Sequence, residues 1–379
     1  MLKLIYKKKS VDFMFMIITT VAVFIVLYLL SFLYNCESLF LSICLVTLVL
    51  YLLPANNNYS RLFSILYYFL LCILTKIQLI KFEFLPQANE LLKMDDSLLY
   101  WILSGHPHSV RLLISYPGYI FSQIFNVNLN IGFTYYCIIL LSFLYFLIID
   151  NISKYRNNKR NISFVIKCMI TLIPLLILAF IMNGRLIPAF FGFMIVISLF
   201  LENENKKIAI NPLFISKLFF GFLFTMVSSG TMTVTFVFSI ISLYITNSDK
   251  VIKKKNIKKI VIGLIILLPV IYKFFTYFLF MLNKNITFYG GGIDGAVNML
   301  NHGAGKIFVS NMFIFSIFVF IGTIFLLSNL GCIYTKVKSN GNKIYLFLAV
   351  NIAFYGIFFG ISTGLMMIPP CIVLIMIRV

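Results

Sequence analysis

The chain has 379 residues, of which 61% are hydrophobic and 11% charged, with a mean hydropathy of +1.02 and a net charge of +20. A soluble domain is about half apolar and about a quarter charged, so this composition excludes an ordinary water-soluble enzyme or binding module and makes a membrane the solvent. The positive excess lies in short blocks between apolar runs, a pattern that orients a chain in a bilayer and argues against nucleic acid as the partner.

Residues 13–34 carry no charge and match the span of about 20 residues that a bilayer core needs. The run is too long for a signal-peptide core and no A-x-A cleavage signal follows, so it reads as a retained helix. In chain order the apolar runs predict an all-α, polytopic bundle of about twelve crossings. They lie near 11–34, 39–53, 62–82, 131–150, 162–182, 186–201, 213–229, 231–246, 260–282, 307–334, 344–361 and 363–378. No stretch is long and polar enough for a separate soluble domain, so residues 1–379 read as one integral membrane domain.

Charge assigns the faces. Lys3 and Lys7 to Lys9, then Arg61, the 154–160 block, Lys206 and Lys207, the 250–259 block, Lys336, Lys338, Lys343 and Arg378 all fall on one side. The other side holds Lys93, Arg111, Arg185, Lys284 and Lys306. The positive-inside rule puts both termini in the cytoplasm. Two long outer loops follow, about 83–130 and 283–306. Within the first, residues 112–125 are apolar around Pro117 and Gly118. A thirteenth crossing there would break the charge parity, so the segment reads as a re-entrant or interfacial helix.

The residues able to do chemistry gather on the outer side. His106, His108 and His302 all fall in the two outer loops, as do Glu83, Glu90, Asp95, Asp96 and Asp294. An imidazole or carboxylate beside a headgroup plane is placed for proton transfer. His106-Pro107-His108 could chelate, or could be a plain turn, and no third metal ligand follows from its spacing. Arg185, in Asn183-Gly184-Arg185, is the only charged residue between Lys167 and Glu202. An arginine so placed is costly and calls for a partner, a ligand or an interfacial anchor, and its planar fork of donors suits phosphate. Arg111 precedes the 112–125 segment and invites the same reading. Lys273 lies deep in the ninth crossing, whereas Lys76, Lys81, Lys167 and Lys217 are close enough to helix ends to snorkel. Gly290-Gly291-Gly292-Ile293-Asp294-Gly295 spells G-x-G-x-x-G, but it reads as an outer loop rather than a strand-to-helix turn, so it is no dinucleotide fingerprint. Gly303-Ala304-Gly305-Lys306 lacks the rest of a phosphate-binding loop. The cysteines form no CxxC pair, so neither a disulfide framework nor a zinc site is expected.

Three segments over roughly residues 95–245 resemble the Wzy-type O-antigen polymerases and the related EpsG-like proteins. They are Tyr116-Pro117-Gly118-Tyr119 with its apolar helix, the helix and basic end from Phe133 to Lys159, and Asn183-Gly184-Arg185-Leu186 leading into Phe190 to Lys207. The sequence departs from that group where Tyr116 stands for a glutamate, Leu186 for a glutamine, and Ser228-Ser229-Gly230-Thr231 for a histidine-bearing segment. Arg185 and the Pro117-Gly118 turn are what carries over.

The resemblance implies an enzyme of the bacterial inner membrane. It would transfer an undecaprenyl-diphosphate-linked glycan to another lipid-linked repeat unit on the periplasmic face, with no cofactor, no metal, and a chain-length regulator as a possible partner. On that reading Arg185, helped by Arg111, grips the diphosphate, and His302, His106 or Asp96 serves as base. Alternatives are a flippase for the same lipid-linked sugar, an outer-face glycosyltransferase using polyprenyl-phosphate sugars, to which Asp95-Asp96 would be suited, and a membrane O-acyltransferase, for which only His302 is a fit. The chain shows no similarity between its halves of the kind a flippase tends to have.

Overall fold

The computed structural model describes residues 37–154, 164–202, 212–247, 275–301 and 343–378, short gaps apart, with a few isolated positions elsewhere. Within them every regular element is a helix. In chain order they are α1 (Glu37–Leu52), α2 (Asn58–Lys76), α3 (Pro86–Leu92), α4 (Leu98–Ser104), α5 (Ser109–Ile124), α6 (Leu129–Lys154) and α7 (Phe164–Ile181). Then come α8 (Leu186–Glu202), α9 (Pro212–Thr225), α10 (Ser229–Asn247), α11 (275–284), α12 (Gly292–Leu300), α13 (Lys343–Gly356) and α14 (Ile368–Arg378). Of these, α2, α6 and α7 are long and apolar enough to cross a membrane. The expected runs at 11–34 and 307–334, and most of 260–282 with Lys273, lie outside the described residues.

The helices form two compact units. The first holds the described residues up to Phe84, together with Tyr116–Gly184 and the end of α14. Its axis is α6, 26 residues and therefore about 39 Å long. Buried residues lie all round it, as expected of a helix enclosed by others. Helices α1, α2 and α7 pack on it. With little water to bond to, polar side chains there pair across helices. Tyr67 donates to the Leu175 carbonyl at 3.0 Å, Ser142 to the Ser64 carbonyl at 2.9 Å, Tyr145 to the Cys168 carbonyl at 2.7 Å and Tyr68 to Ser42 Oγ at 2.8 Å. Arg61 closes the end of α1, donating to the Leu50 and Leu53 carbonyls. Lys167 is buried and donates to the Met376 carbonyl at 2.8 Å. That corrects the snorkelling expectation: distance to a helix end said nothing of the free carbonyl waiting on α14.

Helix α2 stops at Lys76 instead of running to 82, and Gln78 takes a left-handed φ of 61°. The chain beyond is pinned to the start of α6. The Phe82 N–H donates to Thr134 Oγ1 at 3.0 Å and the Phe84 N–H to the Asn130 side-chain oxygen at 2.9 Å. Two segments of the polymerase-like pattern converge here on Phe133, which is fully buried. A Cβ on Gly118 would lie 2.8 Å from the Phe133 backbone, and one on Gly184 would lie 2.5 Å from the Phe133 ring. Both glycines serve close approach rather than a special φ.

The second unit holds Leu85–Ser115 and Arg185–Ile375. Helices α8 and α9 meet at Gly192 and Gly221, where a Cβ on Gly192 would strike the Gly221 carbonyl. Phe200 centres an aromatic core with Phe214, Phe238 and Tyr345, which ties α8 to α9, α10 and α13. The segment expected as re-entrant or interfacial is the helix α5, with Pro117 inside it. The glycine run at 290–295, expected as loop, turns through Gly290 and Gly292 at positive φ and opens α12. The two glycines adopt a backbone that other residues resist, and α12 starts at the second of them.

Candidate functional site

Arg111 stands in the first turn of α5 and is 6% exposed. A cation there opposes the positive end of the helix dipole and has lost most of its water, so two costs fall on one side chain. Its backbone is held by Ser115, whose hydroxyl donates to the Arg111 carbonyl at 2.8 Å. Arg185 sits in the turn before α8, partly buried. The two guanidiniums interact: burial first, and then the Arg111 charge, hold Arg185 below its ordinary pKa, while Tyr289 acts the other way. A guanidinium remains charged at pH 7 all the same.

Two like charges within one another's field raise the energy of the empty site, the more so where burial lowers the effective dielectric. Proteins normally cancel such a cost with a carboxylate. Among the described residues neither arginine has an ion pair, and the Nε of each is buried without a hydrogen-bond partner. The one ion pair described joins Lys217 to Glu202 at 2.7 Å, which gives Lys217 a partner instead of free snorkelling. Sequence alone had singled out Arg185 and Arg111 separately. Their proximity is a product of the fold.

The stretch that precedes Arg111 in the chain is aromatic. Tyr100 and Trp101 of α4 lie ring to ring at 5.1 Å, Trp101 meets His106 edge-on at 5.2 Å, and His106 meets His108 at 5.7 Å. The His108 N–H donates to His106 Nδ1 at 3.2 Å. His106 Nδ1 is thus an acceptor, which puts the proton of its neutral form on Nε2. His108 is different, for its Nδ1 is buried with no partner among the described residues. Burial, then the Arg111 and Lys284 charges and His106, push its imidazole down to about 4, so it is neutral at pH 7.

Sequence reasoning ranked His106 and passed over His108, because burial has no signature in a His-Pro-His spacing. It also passed over Tyr277. This residue of α11 packs with Met226, Met232 and Met281 against Val110, beside Arg111. Its hydroxyl is buried without a partner among the described residues and feels the Arg111 charge. Ser228 and Thr231, in the segment that departs from the polymerase-like pattern, likewise bury partnerless hydroxyls. Asp96 and His302 lie outside the described residues. No group of three or more His, Cys, Asp or Glu able to hold a metal occurs among the described residues.

Two guanidiniums, a neutral imidazole and a tyrosine hydroxyl, with no acid paired to them among the described residues, suit an anionic ligand with several acceptor oxygens. Comparison with protein-family models, with curated proteins and with solved structures finds no match to this chain.

Proposed function

We propose that the chain is an inner-membrane polysaccharide polymerase of the Wzy and EpsG-like kind, joining undecaprenyl-diphosphate-linked repeat units on the periplasmic face. The observation that carries this reading is the neighbouring Arg111 and Arg185, with no acid paired to either among the described residues. A lipid diphosphate supplies the missing negative charge. It is also a good leaving group, because the charge that grows on its bridging oxygen meets fixed cations. The convergence of Gly118 and Gly184 on Phe133 supports it further, since these glycines belong to the two segments that resemble the group. In this reading the chain makes about twelve crossings, both termini are cytoplasmic, and the 83–130 and 283–306 segments face the periplasm.

The test is deletion of the gene followed by gel analysis of surface polysaccharide. Loss of a polymerase leaves a single repeat unit on the lipid anchor, and complementation with Arg185→Ala should leave the same single unit. Loss of all repeat units would instead indicate a flippase. Full-length chains of altered composition would indicate a modifying transferase.

A further inference from the structure

Resting on the reading above, we propose that His108 accepts the proton of the attacking sugar hydroxyl, and does so only while a diphosphate occupies the neighbouring arginine pair. Three observations lead there. First, the nitrogen is uncommitted: His108 Nδ1 is buried without a partner among the described residues, whereas His106 Nδ1 is already engaged by the His108 N–H. Second, the residue is fixed. Its carbonyl accepts the Leu112 N–H at 3.0 Å, its own N–H is tied to His106, and its ring packs on the His106 ring. A proton acceptor must be held to within about half an ångström of its working position.

Third, the charges acting on it are cationic. Arg111 of α5 and Lys284 of α11 both act on it, beside His106 of its own loop, while Arg185 acts on Arg111 in turn. No carboxylate pairs with any of them among the described residues. In the empty site these charges, with burial, hold the imidazole down at about 4, too weak a base for work at neutral pH. A diphosphate between the arginines reverses the local sign. The same imidazole then becomes basic at the moment the donor substrate is in place.

The step balances. The acceptor hydroxyl oxygen bonds to the anomeric carbon as the bond from that carbon to the diphosphate oxygen breaks. The electron pair leaves with the lipid diphosphate, and the hydroxyl proton passes to His108 Nδ1. When the diphosphate departs, the cations again dominate and His108 releases its proton to water.

The chain has three histidines, so the full-length protein labelled with ¹⁵N-histidine in nanodiscs gives three imidazoles to follow. That of His108 is assigned by its loss in His108→Gln, or by elimination in His106→Gln and His302→Gln. The pH titration is run with and without saturating inorganic pyrophosphate. Pyrophosphate titrates too, so the ring nitrogen shift is read rather than affinity. The expected result is a His108 midpoint that rises by about one pH unit or more, a tenfold change in proton affinity, with pyrophosphate, and that stays low in Arg185→Gln. Pyrophosphate binding that depends on Arg185 but leaves the His108 midpoint unmoved would overturn this inference while sparing the diphosphate site. No binding of pyrophosphate would overturn both.

Discussion

The two units handle buried polar groups in opposite ways. In the first, the hydroxyls of Tyr67, Tyr68, Tyr145 and Ser142 each find an acceptor on another helix, and buried Lys167 finds a carbonyl. Ser60 is its exception. In the second, Trp101 Nε1, His108 Nδ1, Arg111 Nε, Arg185 Nε, Ser228 Oγ, Thr231 Oγ1 and Tyr277 OH are all buried without a partner among the described residues. An unmet buried polar group costs about 1–3 kcal/mol. Among the described residues, then, the open polar groups concentrate in the second unit. On the reading proposed above, the first unit is built to hold its shape and the second to take a polar ligand.

The sharpest way to break this comparison is at the arginines. Arg111→Met and Arg185→Met should each abolish long glycan chains. The same substitutions should leave the ligand-free protein as stable or more so, by about 1–4 kcal/mol for buried Arg111 and less for partly buried Arg185, because a charge with no acid paired to it among the described residues is removed. Thermal unfolding in detergent reads this. A large loss of stability in either would mean the guanidinium is a structural strut with a partner of its own.

A glycine of the first unit should behave in the reverse manner. Gly132→Ala places a Cβ 2.6 Å from the Gly118 carbonyl oxygen and from the Ser122 nitrogen, both backbone atoms that cannot swing aside. It should cost about 1–3 kcal/mol, visible as a lower unfolding temperature.

A smaller contrast comes from two matched tyrosines. Tyr67→Phe gives up a hydrogen bond to the Leu175 carbonyl and should lose about 1 kcal/mol without shortening glycan chains. Tyr277→Phe gives up a hydroxyl with no partner among the described residues, and should keep its stability but weaken diphosphate binding. If the two variants lost equal stability, the distinction between the units would fail.

The last contrast is in pH. His108 is held below its ordinary value of 6.5, down to about 4. Between these values the unfolded chain binds more protons than the folded one, so stability falls as pH drops from 6.5 toward 4. His108→Gln should remove that part of the acid sensitivity, as measured by unfolding temperature across this range.

Much of the helical layout was readable from apolar run length. The starts at Leu129, Phe164 and Leu186 fall within a few residues of expectation. The stop of α2 at Lys76 was not, because Ile77, Leu79, Ile80 and Phe82 carry the apolar pattern past it, and only the hydrogen bonds of Phe82 and Phe84 to Thr134 and Asn130 reveal the strap. At the site, Arg185 and Arg111 stood out because charge is rare in an apolar chain. Tyr277 and His108 did not, since a tyrosine in an aromatic-rich run and one histidine of a close pair become special only through burial and neighbours. Lys167 shows the converse: a charge conspicuous in the sequence whose role is to cap a carbonyl.

The most direct measurement is the unfolding temperature of the full-length protein in detergent, with and without a short-chain polyprenyl diphosphate. At about 100 times its dissociation constant such a ligand should add about 2.7 kcal/mol of stability, and the gain should vanish in the Arg111→Met, Arg185→Met double variant. Equal gains in wild type and double variant, or none in either, would mean that the arginine pair is not an anion site.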